Sequence, residues 1–374
     1  MATTKVIPGV LDLNQANSES GLRMPTGTAY AAPPTVAEGM MRNDTSQSSL
    51  SSASTMQHYT GNNEWKNFVN IADTITTHFL VVAGGGSGAT FHGGGGGAGG
   101  YRTSYGTESP ITLSGGSMES TVSLSKSVAY TVTVGDGAAG VTSTTGANLS
   151  GNNGSDSTFS GSFTGSPITS TGGGAGSSYN TQTTPGTGGS GGGGGANNQT
   201  GAAAVSSPVV QGFAGGDGGQ NSEPFPPGGG GGAGSVGANG TSGGGGNGGD
   251  GLENQITGAT GVFYAGGGGG GTFVSGSPGT GGSGVGGNGG PATLNTSGFD
   301  GTTNTGSGGG GANADSSNAT ITGAGGSGVI ILRYPNYYTA TYSAGAGGAA
   351  DAEVSTGTDK YIRITAGTGT VTFS

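Results

Sequence analysis

The sequence predicts a mainly β and irregular protein with little or no α-helix. Its centre is a glycine-rich domain of polyglycine II-like helices clamped by a β-sheet. Three observations carry this. Glycine supplies 94 of 374 residues. The glycine-rich stretch opens and closes on two continuous apolar runs, Phe79-Leu80-Val81-Val82 and Val329-Ile330-Ile331-Leu332. Helix caps and a 3.6-residue hydrophobic period are missing.

The first 78 residues are low in glycine and predict a small β-meander. Strands are expected near Met40–Arg42, Met56–Tyr59 and Glu64–Phe68, the last two joined by the turn Thr60-Gly61-Asn62-Asn63. Trp65 and Phe68 are its expected core, shared across a trimer axis, because this segment has too little apolar side chain to fold securely alone.

Residues 79–334 form the glycine-rich domain. A four-residue apolar run without alternation fits a strand buried on both faces. The opening and closing runs are therefore expected in one sheet, near the alternating strand of Tyr130, Val132 and Val134. Four readings of the glycine compete. A flexible linker would not carry aromatic residues at intervals. Collagen needs glycine at every third position and much proline; AGGGSGATFHGGGGGAGG breaks that period at once, only 14 Pro occur, and the runs at 93–97, 191–195, 228–232, 243–246, 266–271 and 308–311 suit packed polyglycine helices instead. A phosphate-binding loop is not supported either, because G-x-G-x-x-G means little at this glycine content and no GxxxxGK[ST] exists. Packed left-handed threefold helices fit best. Without side chains they approach closely enough for N–H and Cα–H groups to reach carbonyls of neighbours. Residues 335–374 predict a C-terminal β unit, with strands at Tyr338–Tyr342, Lys360–Thr365 and Gly369–Phe373.

Composition narrows function. No Cys is present, so disulfides and thiolate metal sites are excluded. The net charge is −10, and Lys126 is the only Lys or Arg between Arg102 and Arg333. Such a chain does not neutralise a nucleic-acid backbone. No apolar stretch is long enough to span a membrane, and the first residues lack a signal-peptide pattern.

The phrases FLVVAGGGSGA…GGGGGAGGYR, YTVTVGDGAAG and GGSGVIILRY resemble the glycine-rich domain of tailed-phage tail fibres and related virion proteins. The stretch EGMMRNDTS…MQHYTGNNEWKNF is similar to a short β-module of phage fibres, and the first residues look most like cyanophage fibre proteins. The resemblance implies a homotrimeric virion fibre or adhesin. It would be made in the host cytoplasm, docked to other tail or capsid proteins through residues 1–78, and directed at a host receptor, either a glycan or an outer-membrane protein. A capsid fibre or decoration protein with a purely structural role is the alternative. A non-viral surface adhesin is disfavoured by the missing signal pattern. The C-terminal unit departs from a tip adhesin, because the chain continues past VIILRY.

No catalytic, cofactor or metal residues are expected. Acidic residues are scattered without a glycosidase-like pair in sequence. Threefold symmetry could gather copies of His58, His78 or His92 around a metal, but surface or boundary positions suit them better. Aromatic residues carry more information. Phe213, Phe263 and Phe273, flanked by glycine, are expected to pack beside the helices. Tyr179 in GSSYNTQTTPG and Phe225 in NSEPFPPGG lie in polar loops and are the candidate receptor-binding residues.

Overall fold

The computed structural model describes residues 74–374, apart from 116, 145–146, 180–183, 274, 293–295 and 314–319. It also describes the backbone of four short strands nearer the N-terminus. The chain divides into two compact units, Met1–Ala72 and Asp73–Ser374.

In the first unit, Met41–Asp44, Thr55–Tyr59 and Trp65–Asn67 pair antiparallel, as the turn residues between them require. Thr26–Gly27 adds a parallel strand beside Met41–Asp44, so the sheet is more than a meander. Trp65 opens the last strand; Phe68 lies outside the described residues.

The second unit is built on one large sheet. Its main strands are β1 (Thr74–Val82), β2 (Tyr101–Thr103), β3 (Val122–Ser125), β4 (Ala129–Val134), β5 (Ser157–Ser160), β6 (Ile168–Ser170), β7 (Val329–Pro335), β8 (Ala340–Ala344) and β9 (Asp359–Phe373). The order is β6-β5-β4-β9-β7-β1-β2, with β3 on the first half of β1 and β8 on the far half of β9. The two apolar runs are direct partners, Val329 opposite Val82 and Ile331 opposite Leu80. Between the closing run and the Val132 strand lies β9, which merges two strands expected to be separate. Its first half pairs with β7 and its second with β4. Gly367, at φ +63°, sits where β9 changes partner; a Cβ there would lie 2.3 Å from Gly347 C. The residues expected as a C-terminal unit thus occupy the middle of this sheet.

The continuous apolar runs serve two cores, as strand alternation dictates. Phe79, Val81, Ile330 and Leu332 face the sheet's interior with Tyr130, Val132, Phe159 and Phe373. Leu80, Val82, Val329 and Ile331 face outward against Ala98, Ala233, Leu252, Ile256 and Tyr264. The sheet curls until its edges approach, and Arg102 Nη1 of β2 donates to Thr169 O of β6 at 3.3 Å. Among the described residues one α-helical turn interrupts this β architecture, besides a 3-10 turn at Gly282–Gly284, where the sequence predicted no helix signal. Pro110–Leu113 is capped by Ser109, with Thr112 answering in a reciprocal capping box.

The glycine segments are threefold helices in a lattice. Residues 93–100 demonstrate it. The N–H groups of Gly93, Gly96 and Gly99 donate to Ala312, Gly309 and Gly306. Those of Gly94, Gly97 and Gly100 donate to Ser177, Gly174 and Thr171. Gly95 and Ala98 donate to Gly228 and Gly231. The carbonyls repeat the pattern toward three other segments. Gly94, Gly97 and Gly100 accept from Ala89, Gly86 and Ala83; Gly95 and Ala98 from Gly193 and Ser190; Gly93 and Gly96 from Gly271 and Gly268. A partner change at every residue and a return at every third is the signature of a three-residue turn. Six surrounding segments are the coordination of a hexagonal array. The glycines of this segment avoid positive φ, which sets the left hand. A Cβ at Gly96 would stand 2.1 Å from Gly86 O, so glycine is a packing requirement here.

Candidate functional site

Segment 93–100 runs directly into β2, so its other end, at His92, lies about 25 Å from the sheet at 3.1 Å per residue. The chain reverses there between antiparallel neighbours 83–89 and 93–100, through Phe91 and His92, both at positive φ (52° and 53°). Tyr179 follows the 171–177 segment, and its N–H donates to Phe91 O at 3.2 Å. Phe225, at φ 49°, precedes the run beginning at Gly228. Phe273 follows the run ending at Gly271, and its N–H donates to Pro224 O at 3.2 Å. Four loops thus deliver five rings to one place, because each ring stands at the end of a glycine segment.

His92 is the centre. Its ring stacks on Phe225 with centroids 4.9 Å apart and planes 13° apart. Phe273 lies 4.5 Å away, Phe91 4.6 Å and Tyr179 5.7 Å. Tyr179 and Phe225 also meet edge to face at 5.8 Å. His92 is 4% exposed and its Nδ1 has no hydrogen-bond partner. Burial pushes its pKa down to about 4, so the ring is neutral at neutral pH. The other four rings are half-buried, and Asn221, Ser222 and Glu223 beside them are exposed. The Tyr179 hydroxyl is bonded to Asn221 Oδ1.

The sequence singled out Tyr179 and Phe225, and the structure brings them together. It did not point to Phe91 or His92 as their neighbours. Phe273, expected to pack beside the helices, packs in this cluster. A signal was present: Thr90-Phe91-His92 and Thr272-Phe273 abut glycine runs directly, so their rings must project from helix ends. Phe159 and Phe163 belong instead to the sheet's interior, stacked 4.8 Å apart. Phe299 is 57% exposed. His78 is half-buried in β1, its Nδ1 2.9 Å from Ser104 O; His58 lies in the strand Thr55–Tyr59. Among the described residues no three His, Asp or Glu side chains are grouped to hold a metal.

A cleft of about 590 Å³ is lined by Tyr105, Glu108, Glu253 and Gln255, so two carboxylates distant in sequence border one space. Hydrogen bonds from Gly261 N and Gln255 Nε2 hold the Glu253 pKa below the usual carboxylate range. That favours a fixed anion over a proton donor. Among the described residues no helix is long and apolar enough to cross a membrane.

A family model described as a glycine-rich domain matches residues 62–335. No curated protein matches the chain significantly.

Proposed function

The chain belongs to the glycine-rich domain family, and from that premise we propose that it is a non-enzymatic virion fibre protein, an adhesin that attaches to a host surface. One observation carries this reading: the lattice gathers Phe91, Tyr179, Phe225 and Phe273 at the end of the bundle remote from the sheet. Half-buried aromatics on a rigid support lose little entropy on binding and suit sugar rings or receptor pockets. The resemblance of the flanking phrases to phage fibre proteins supplies the virion context. Residues 1–78 are then the docking and trimerisation segment, with Trp65 and Phe68 as candidate core residues.

Adsorption tests the attachment reading. Purified protein should compete with intact particles for susceptible cells. Tyr179→Ala and Phe225→Ala should each weaken competition about tenfold, the scale of an interface anchor. Melting curves of each variant establish that the bundle persists. Unchanged competition by both folded variants excludes the tip. Oligomeric state is measured by light scattering on the full chain. Three copies of 35.0 kDa give about 105 kDa, whereas a monomer mass removes the trimer.

A structural capsid fibre or decoration protein is the second reading. It is favoured by the extent to which the tip rings satisfy one another, with the Tyr179 hydroxyl already engaged by Asn221. Immunogold labelling of particles with an antibody to residues 150–300 separates the two: label at fibre tips supports attachment, and label over the capsid supports decoration.

A further inference from the structure

We propose that the ring cluster is an acid-sensitive latch: protonation of His92 releases the loops of Phe91, Tyr179, Phe225 and Phe273 from one another, while the glycine lattice beneath stays bonded. Geometry carries this. His92 is the one ring in contact with all four others. Its Nδ1 is buried without a partner. A neutral imidazole tolerates one unpaired acceptor, whereas an imidazolium presents two donors, both of which need partners.

The neighbours cannot accept the proton's charge. On its own loop, His92 is flanked by Phe91 and Gly93. The Tyr179 loop offers a neutral phenol, which donates to Asn221 and carries no negative charge to pair with an imidazolium. The Phe225 loop carries Glu223, which is exposed and makes no bond to His92. The Phe273 segment has no charged residue between Gly266 and Phe273. Stacking on Phe225 offers the cation only a weak cation–π attraction, and the cost of burying an unpaired ion exceeds it, so desolvation wins. The backbone adds to the release. Phe91, His92 and Phe225 sit at positive φ, a region that side-chain-bearing residues enter at a cost, and ring packing holds them there. The segments that end beneath the rings, 83–89, 93–100, 171–177, 228–232 and 266–271, contain only Gly, Ala, Ser and Thr.

The sign follows from linkage. The closed cluster prefers the unprotonated ring, whose pKa lies near 4 against an ordinary 6.5. Closure is fully favoured above 6.5 and is lost as pH falls from there toward 4. With these values the opening constant at pH 5 is about thirty times that at pH 7.5.

Hydrogen exchange on the full chain tests this, with rates corrected for their intrinsic pH dependence. Residues 90–92, 178–179, 221–226 and 272–273, which lie beyond the lattice segments, should open about thirtyfold more at pH 5 than at pH 7.5. Segments 74–82 and 93–100 should not change, and His92→Phe, which keeps a ring but cannot titrate, should abolish the response. Exchange at the tip that ignores pH overturns the proposal, as does an equal response in His92→Phe. If that variant does not fold, the imidazole NMR titration of wild-type His92 decides. A midpoint below pH 5.5 with shifts of the Tyr179 and Phe225 ring signals supports the latch; one at 5.5 or above, or a titration that leaves those rings unmoved, overturns it. The consequence for attachment rests on the reading of this tip as host-facing. A responsive latch with pH-independent adsorption would remove that reading and leave the latch.

Discussion

Gly230→Val is expected to disrupt the glycine lattice, with a loss of about 4 kcal/mol or more and a melting temperature at least about 10 °C lower. A Cβ at Gly230 would lie 2.0 Å from Gly96 O, 2.4 Å from Gly96 C and 2.8 Å from Gly97 N. All three are backbone atoms of the fully surrounded segment, so no side chain can swing away. Forcing them apart also strains neighbouring bonds, including Gly230 N to Gly268 O at 2.8 Å. Gly243→Ala is the matched control. Its Cβ would meet only Thr241 Oγ1 at 3.5 Å, an ordinary contact. There the loss of unfolded-chain freedom should leave stability unchanged or raise it by up to about 1 kcal/mol. Thermal melting of the two variants side by side is the measurement; equal melting would refute the lattice account.

Glu119→Ala is expected to cost about 3–5 kcal/mol, although it deletes a single surface-proximal carboxylate. Arg102 is 8% exposed at its side chain, and its Nε and Nη2 both donate to Glu119. The same guanidinium reaches Thr169 O across the seam of the curled sheet. Removing Glu119 leaves a buried charge with one carbonyl for company. Replacing both partners, Arg102→Met with Glu119→Leu, removes the charge together with its partner and should recover most of the loss. Denaturant unfolding of the two variants makes the comparison. Equal destabilisation by the single and the double change would mean that the pair acts by packing alone.

Much of this fold was legible because the sequence repeats its message at several levels. Phe79-Leu80-Val81-Val82 and Val329-Ile330-Ile331-Leu332 announce strands with two apolar faces, and they pair with each other. Glycine runs in a chain without the collagen period announce close-packed threefold helices. What remained hidden was set by long-range placement. Nothing local in Asp359–Phe373 says that it inserts between the strands of Val132 and Ile331. That depends on register across segments two hundred residues apart. The turn at Pro110–Leu113 was missed because four residues leave no period to detect, and a single Ser-Pro pair does not by itself mark a helix. The tip followed the same rule. Tyr179 and Phe225 stood out by their polar, proline-containing loops, whereas His92 looked like a boundary residue. Its burial arises from three other loops whose ends the lattice aligns, and no short window of sequence contains them.

The lattice also shapes how stability depends on temperature. Unfolding a typical domain hydrates many apolar side chains and raises the heat capacity by about 12–15 cal/mol/K per residue. Here 29% of residues are hydrophobic, and the glycine segments would expose peptide groups, whose hydration lowers the heat capacity. The increment per residue is therefore small and the stability curve flat. A bundle held by backbone bonds loses little on cooling, since its cohesion owes little to a force that weakens in the cold.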